Sequence, residues 1–100
     1  MQFPIKRFRV EDYSMAPTFL PNDYVLVSTF SYIFRLPRAN EVIIIKLPHN
    51  GPFIIKRIER VLSANKYFVI GDNKNNSIDS RKFGPIDLKN IVGRVILKIR

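Results

Sequence analysis

Apolar and polar residues alternate with a period of two along much of this chain, and β-branched residues dominate the apolar positions. That pattern predicts strands over residues 8–10, 24–29, 41–47, 53–62, 66–70 and 92–100. The run Val42-Ile43-Ile44-Ile45 is continuously apolar, as in a strand buried on both faces. In the last segment Val95, Leu97 and Ile99 share one face, while Arg94, Ile96, Lys98 and Arg100 share the other. Pro48-His49-Asn50-Gly51-Pro52 is a turn cluster, and Ser63-Ala64-Asn65 joins two strands. Helical periodicity is scarce. Residues 12–22 are turn-rich, with prolines at 17 and 21. Residues 71–85 form a long polar stretch whose Gly, Asp and Ser residues can bond their own backbone, which favours an ordered loop. The expected architecture is a mainly β, compact antiparallel fold, barrel-like or sandwich-like, in one domain over residues 1–100.

Composition narrows the function classes. A hydrophobic fraction of 46% and an aromatic fraction of 12% suit a packed globular chain. The absence of cysteine excludes disulfides, thiolate metal sites and a cysteine nucleophile. The lone His49 cannot build a histidine metal cluster, and a Ser-His-Asp triad would have to recruit it from a turn. The formal charge of +9 favours acidic partners. The basic residues run from Lys6 to Arg100 and often alternate with apolar ones, so outward strand positions explain them better than a nucleic-acid stripe does. No segment approaches the ~20 apolar residues that span a bilayer. The first seven residues hold no apolar run suited to a secretory signal. A cytoplasmic or peripherally membrane-associated chain is expected. The segment Phe30-Ser31-Tyr32-Ile33-Phe34-Arg35-Leu36-Pro37-Arg38 bears on that choice. Its aromatics beside arginines suit lipid headgroups, although packing on the core is the simpler reading.

Three features could carry chemistry. Ser14 follows the first predicted strand, where a turn exposes a hydroxyl and places backbone N–H groups nearby; the plain alternative is a turn serine bonded to its own backbone. Lys56 lies in a predicted strand on the face of Ile54, Ile58 and Leu62. An apolar face lowers a lysine pKa, and a lysine base must shed its proton to work. Arg60 falls on the same face, which requires a bend between 56 and 60 or incomplete burial. In the 71–85 loop, Asp79 and Arg81 could pair and pin the backbone, leaving Ser77 to hydrogen-bond a neutral lysine amine. The glycine spacing fits neither a P-loop nor an EF-hand.

These residues resemble the motif set of the signal peptidase I family. Ser14-Met15-Ala16-Pro17-Thr18 is similar to its nucleophile box, and Ile55-Lys56-Arg57 to the box that carries its general base. Residues 71–81 resemble its GDNxxxSxDSR box, followed by matching Phe83-Gly84-Pro85 and Ile91-Val92-Gly93-Arg94-Val95. The boxes stand in the family's order over nearly the whole chain. The resemblance implies a mostly β fold and a Ser–Lys dyad. Ser14 would attack the scissile carbonyl and Lys56 would take its proton. Ser77 would orient Lys56, while Asp79 and Arg81 would hold the loop. The Ser14 N–H would supply an oxyanion donor, and Met15 would help shape the substrate pocket. No metal or cofactor is implied. Substrates would be leader peptides with small residues before the cut.

Asp12 departs from the pattern, since the family has Gly or Ser there, and in some members that serine donates to the oxyanion. Asn22 and Asn40 stand where glycine is common. The compact spacing also resembles anchorless members that mature nickel superoxide dismutase by trimming a short leader. Two further classes stay open: a basic β module that binds nucleic acid through stacked aromatics, and a self-cleaving Ser–Lys protein. The ordered Ser, Lys and loop boxes argue against the first.

Overall fold

A computed structural model describes residues 4–99. Its frame is one antiparallel sheet curled into a half-barrel. The strands are β1 (Ile5–Arg9), β2 (Tyr24–Ser28), β3 (Val42–Lys46), β4 (Phe53–Ser63), β5 (Lys66–Ile70), β6 (Ile86–Asp87) and β7 (Ile91–Lys98), in the order β1-β2-β7-β3-β4-β5-β6. Two single-turn helices, α1 (Ser31–Phe34) and α2 (Ser80–Phe83), interrupt the connections, and a 3-10 turn covers Leu88–Asn90. The predicted strands all appear, with ends displaced by a few residues, and Arg100 lies outside the described residues. The helical turn α2 falls inside the segment expected as loop. Asp79 starts it by accepting the backbone N–H of Arg81, as a capping residue does.

The apolar run in β3 is buried on both faces. Ile44 joins one cluster with Val10, Met15, Phe19, Val25, Val27 and Ile55. Ile43 and Ile45 join the other with Ile58, Tyr67, Val69 and Ile86. β3 can do this because it is interior, between β7 and β4. The last strand differs from expectation. A bulge between Leu26 and Val27 shifts the β2–β7 register, and Ile96, Leu97 and Ile99 end up exposed rather than sorted cleanly by face.

The same device answers the Arg60 problem. The β4–β5 register shifts between Ile58 and Arg60, so the count of two fails there. Lys56 stays buried, while Arg60 turns out and lays its guanidinium 4.1 Å above the Phe68 ring. Asn22 and Asn40 hold positive φ values of 74° and 77°. Asparagine tolerates that region better than other non-glycine residues, so the turns form without the expected glycines.

Candidate active site

The nucleophile loop leaves β1 at buried Val10, whose N–H bonds the Asp23 carbonyl at 2.8 Å and whose carbonyl accepts from Asn22 at 2.8 Å. These bonds close residues 10–23 into a compact loop. A turn then forms at its start, with the Ala16 N–H on the Tyr13 carbonyl at 3.0 Å. Met15 points into the core and is fully buried, which anchors the loop from below. Ser14 is 3% exposed, and its side chain faces Lys56.

Lys56 sits in mid-β4, opposite Ile43 of β3, and is likewise 3% exposed. Its Nζ lies 2.9 Å from Ser14 Oγ, its sole hydrogen-bond partner among the described residues. Burial disfavours the ammonium and holds the amine below its ordinary value. The negative charges of Asp12 and Asp79 act the other way but do not cancel burial. A lysine without an ion-pair partner, desolvated and within hydrogen-bond reach of a hydroxyl, is equipped to accept that hydroxyl's proton.

The loop after β5 closes over this pair. Asp79 is completely buried. Its two oxygens accept from the Gly71 N–H at 2.8 Å, Ser77 Oγ at 2.9 Å, the Arg81 N–H at 3.1 Å, and Arg81 Nε and Nη2 at 2.9 Å each. Burial alone would raise this carboxyl. The bonds from Arg81, the Gly71 N–H and Ser77 outweigh it and hold the group well below the usual carboxylate range. The predicted Asp79–Arg81 pair is thus present. Ser77 lines the same cavity as Ser14 and Lys56, but its hydroxyl donates to Asp79, and no Ser77–Lys56 hydrogen bond occurs among the described residues. Met15, anticipated at the substrate pocket, does not line that cavity.

Two loops so close need a residue without a side chain between them. A Cβ on Gly71 would lie 2.2 Å from Ser77 Oγ and 2.5 Å from the Ser14 carbonyl oxygen. Glycine here lets the backbones approach. Further bonds staple the loops: the Asn73 N–H reaches the Ser14 carbonyl at 2.9 Å, and Asn73 Nδ2 the Tyr13 carbonyl at 3.1 Å. Arg57 grips Asp72 with Nε and Nη2, each at 2.8 Å, and Thr18 Oγ1 donates to the same carboxylate at 2.6 Å.

A cavity of about 390 Å³ opens beside Ser14 and Lys56. Leu47, Pro52, Ile54, Ile78 and Phe83 give it apolar walls, and Asp12 stands at its rim. Asp12 Oδ1 accepts the Ser14 N–H at 3.0 Å. His49 is exposed in the β3–β4 turn, away from this cavity. No group of acidic or imidazole side chains among the described residues could hold a metal ion.

Comparison with known proteins places the whole chain in one family. The family model described as signal peptidase, peptidase S26, matches residues 1–61 and 58–99. The chain belongs to this family of serine endopeptidases. Among its relatives, signal peptidase I V of Bacillus subtilis (strain 168) is 29% identical over 136 residues, covering 86% of this chain and 80% of its own length. Signal peptidase I of Leptolyngbya laminosa is 28% identical over 129 residues, covering 85% of this chain and 64% of its own. Subunit 1b of the mitochondrial ATP-independent inner membrane protease of Arabidopsis thaliana is 28% identical over 109 residues, covering 86% and 64%. This chain therefore spans just under two thirds of the last two. The alignment with the Bacillus signal peptidase runs longer than this whole chain, so that relative carries residues absent here. Here β4 passes straight into β5 through a tight turn at residues 63–66.

Within the signal peptidase frame, five contacts were not anticipated from sequence. They are Arg57–Asp72, Thr18–Asp72, the Asn73 staples, and Ser80 Oγ accepting the buried Val69 N–H at 2.8 Å. One of them had a signal. Arg57 stands in the first strand of the predicted 53–62/66–70 hairpin and Asp72 just past the second, so antiparallel pairing returns one beside the other.

Proposed function

We propose that residues 1–100 form a signal-peptidase-type catalytic domain that cuts leader peptides with a Ser14–Lys56 dyad. Neutral Lys56 takes the Ser14 proton as Oγ attacks the scissile carbonyl carbon. It then returns the proton to the departing amine, and the acyl-enzyme is released by water that Lys56 deprotonates in turn. Asp79 and Arg81 hold the 71–85 loop, Ser77 caps the cavity beside the lysine, and the Ser14 N–H is the donor nearest a developing oxyanion. The observation that carries this reading is a buried lysine amine 2.9 Å from a buried serine hydroxyl, with no carboxylate paired to it among the described residues. The apolar walls of the cavity suit uncharged side chains beside the cut. No cofactor enters the scheme.

Mass spectrometry of cleaved peptides tests it, using a secretory leader and a nickel-enzyme leader with wild type, Ser14→Ala and Lys56→Met. Wild type should cut at one bond, and both folded variants should be inert. Preference for the nickel-enzyme leader would make the chain a maturation protease. Equal cutting by the variants would refute the dyad, and nucleic-acid binding by the basic surface would then be the reading to test.

A second reading concerns where the enzyme works. Ile33 is 74% and Phe34 80% exposed on α1, while Tyr32 tucks inward and gives its hydroxyl to Glu41 at 2.7 Å. We read residues 30–38 as a peripheral membrane contact, with exposed Arg38 toward anionic headgroups. No helix among the described residues is long and apolar enough to cross a membrane. Co-sedimentation with anionic vesicles should occur for wild type and be lost in Phe34→Asp. Wild type left in the supernatant would remove this reading.

A further inference from the structure

The Ser14 N–H, assigned above to the oxyanion, is already taken. Asp12 Oδ1 accepts it at 3.0 Å, closing an Asx turn across three residues. This is the only hydrogen bond that the Asp12 side chain makes among the described residues. The residue is exposed and stands at the rim of the cavity that holds Ser14 and Lys56. An oxygen bound to that N–H, beside the nucleophile, occupies the place a substrate carbonyl oxygen must reach.

We propose that Asp12 is an internal occupant of the oxyanion position, so that the resting site is capped by its own carboxylate and a substrate must displace it. The proposal rests on the Ser14–Lys56 reading. During attack the Ser14 Oγ–C bond forms, the hydroxyl proton passes to Lys56 Nζ, and the carbonyl π pair moves onto oxygen. That oxygen becomes an anion needing the Ser14 N–H. With Asp12 in place, two negative oxygens would compete for one donor at hydrogen-bond distance, which opposes the step. One hydrogen bond and an exposed side chain let Asp12 swing into water. Asp79, with all its bonds, has no such freedom.

The cap has a second consequence. The charged groups acting on Lys56 are Asp12, from the nucleophile loop, and Asp79, from the loop after β5. Both favour the ammonium. Removing Asp12 therefore leaves Lys56 neutral at lower pH, and the acid limb of activity moves down.

The experiment compares wild type, Asp12→Ala and Asp12→Asn in leader-peptide cleavage, with kcat and KM taken across pH 6 to 10. The Ser14 amide proton is followed by NMR in each free enzyme. Asp12→Ala removes the cap without adding a donor. Its kcat should rise by about tenfold, a fraction of the effect of a whole oxyanion donor. Its Ser14 amide resonance should move upfield, and its acid limb should fall to lower pH. Asp12→Asn keeps an acceptor on the N–H but no charge. It should match the pH displacement while gaining less in kcat and keeping the amide resonance. An active wild type with no kcat gain in Asp12→Ala overturns the cap and leaves the dyad standing. A wild type inert on every leader overturns the dyad, and the cap falls with it.

Discussion

Two aspartates face the same lysine from two loops, and they are held in opposite ways. Asp79 is fully buried, and donors from Gly71, Ser77 and Arg81 satisfy both of its oxygens. Asp12 is exposed and accepts one backbone N–H. Burial makes the first an element of structure, because an ionised carboxylate in the interior persists only when its bonds replace water. Exposure makes the second cheap to move, because water takes over the lost bond. A rigid framework and the proposed displaceable cap thus both act on Lys56, and the number of hydrogen bonds tells them apart.

Truncating the framework member should have the largest effect on stability. Asp79→Ala leaves the buried Gly71 N–H without a partner and breaks the tie to Arg81, at a cost of about 3–5 kcal/mol in urea unfolding. A loss under about 1 kcal/mol would break the contrast between the two aspartates. Gly71→Ala comes next. Its methyl would press on Ser77 Oγ and on the Ser14 carbonyl, so the loops must part. We expect about 1–3 kcal/mol of destabilisation and a lower kcat in the fraction that folds. Unchanged kcat and melting would show that the close approach of the loops does not matter.

Acid sharpens the contrast without mutation. The Asp79 carboxyl is held below its ordinary value in the fold, so its stabilising contribution is present above the unfolded pKa of ~3.9. It is lost as pH falls from there toward the lower folded value. Unfolding free energy should therefore drop between pH 5 and pH 2, and the drop should be smaller in Asp79→Asn. The smallest effect belongs to the cap. Asp12→Ala should leave thermal stability within about 0.5 kcal/mol of wild type, since one exposed bond is lost.

Much of this was legible in the sequence. The period-two alternation gave the strands, and the run at 42–45 marked the strand buried on both faces. The boxes around Ser14, Lys56 and 71–81 indicated which segments converge. What escaped came from two sources. Bulges change register without a compositional mark, so the sorting of faces in β7 and the outward turn of Arg60 could not be counted from alternation. Long-range pairing is the other. Thr18 and Asp72 lie 54 residues apart in sequence, and only the folded sheet brings the nucleophile loop against the loop after β5. Local pattern also leaves open which way a short polar side chain turns. Ser77 bonding Asp79, and Asp12 bonding the Ser14 N–H, are decided by that choice.

The most direct test of the central claim is covalent trapping. A peptidyl phosphonate ending in a small residue would be incubated with wild type, Ser14→Ala and Lys56→Met, and the modified residue mapped by mass spectrometry. The account predicts a single adduct on Ser14, formed faster as pH rises through the Lys56 titration. It predicts no adduct in Ser14→Ala and very slow labelling in Lys56→Met. An adduct on another residue, or labelling at wild-type rate in Lys56→Met, would contradict it.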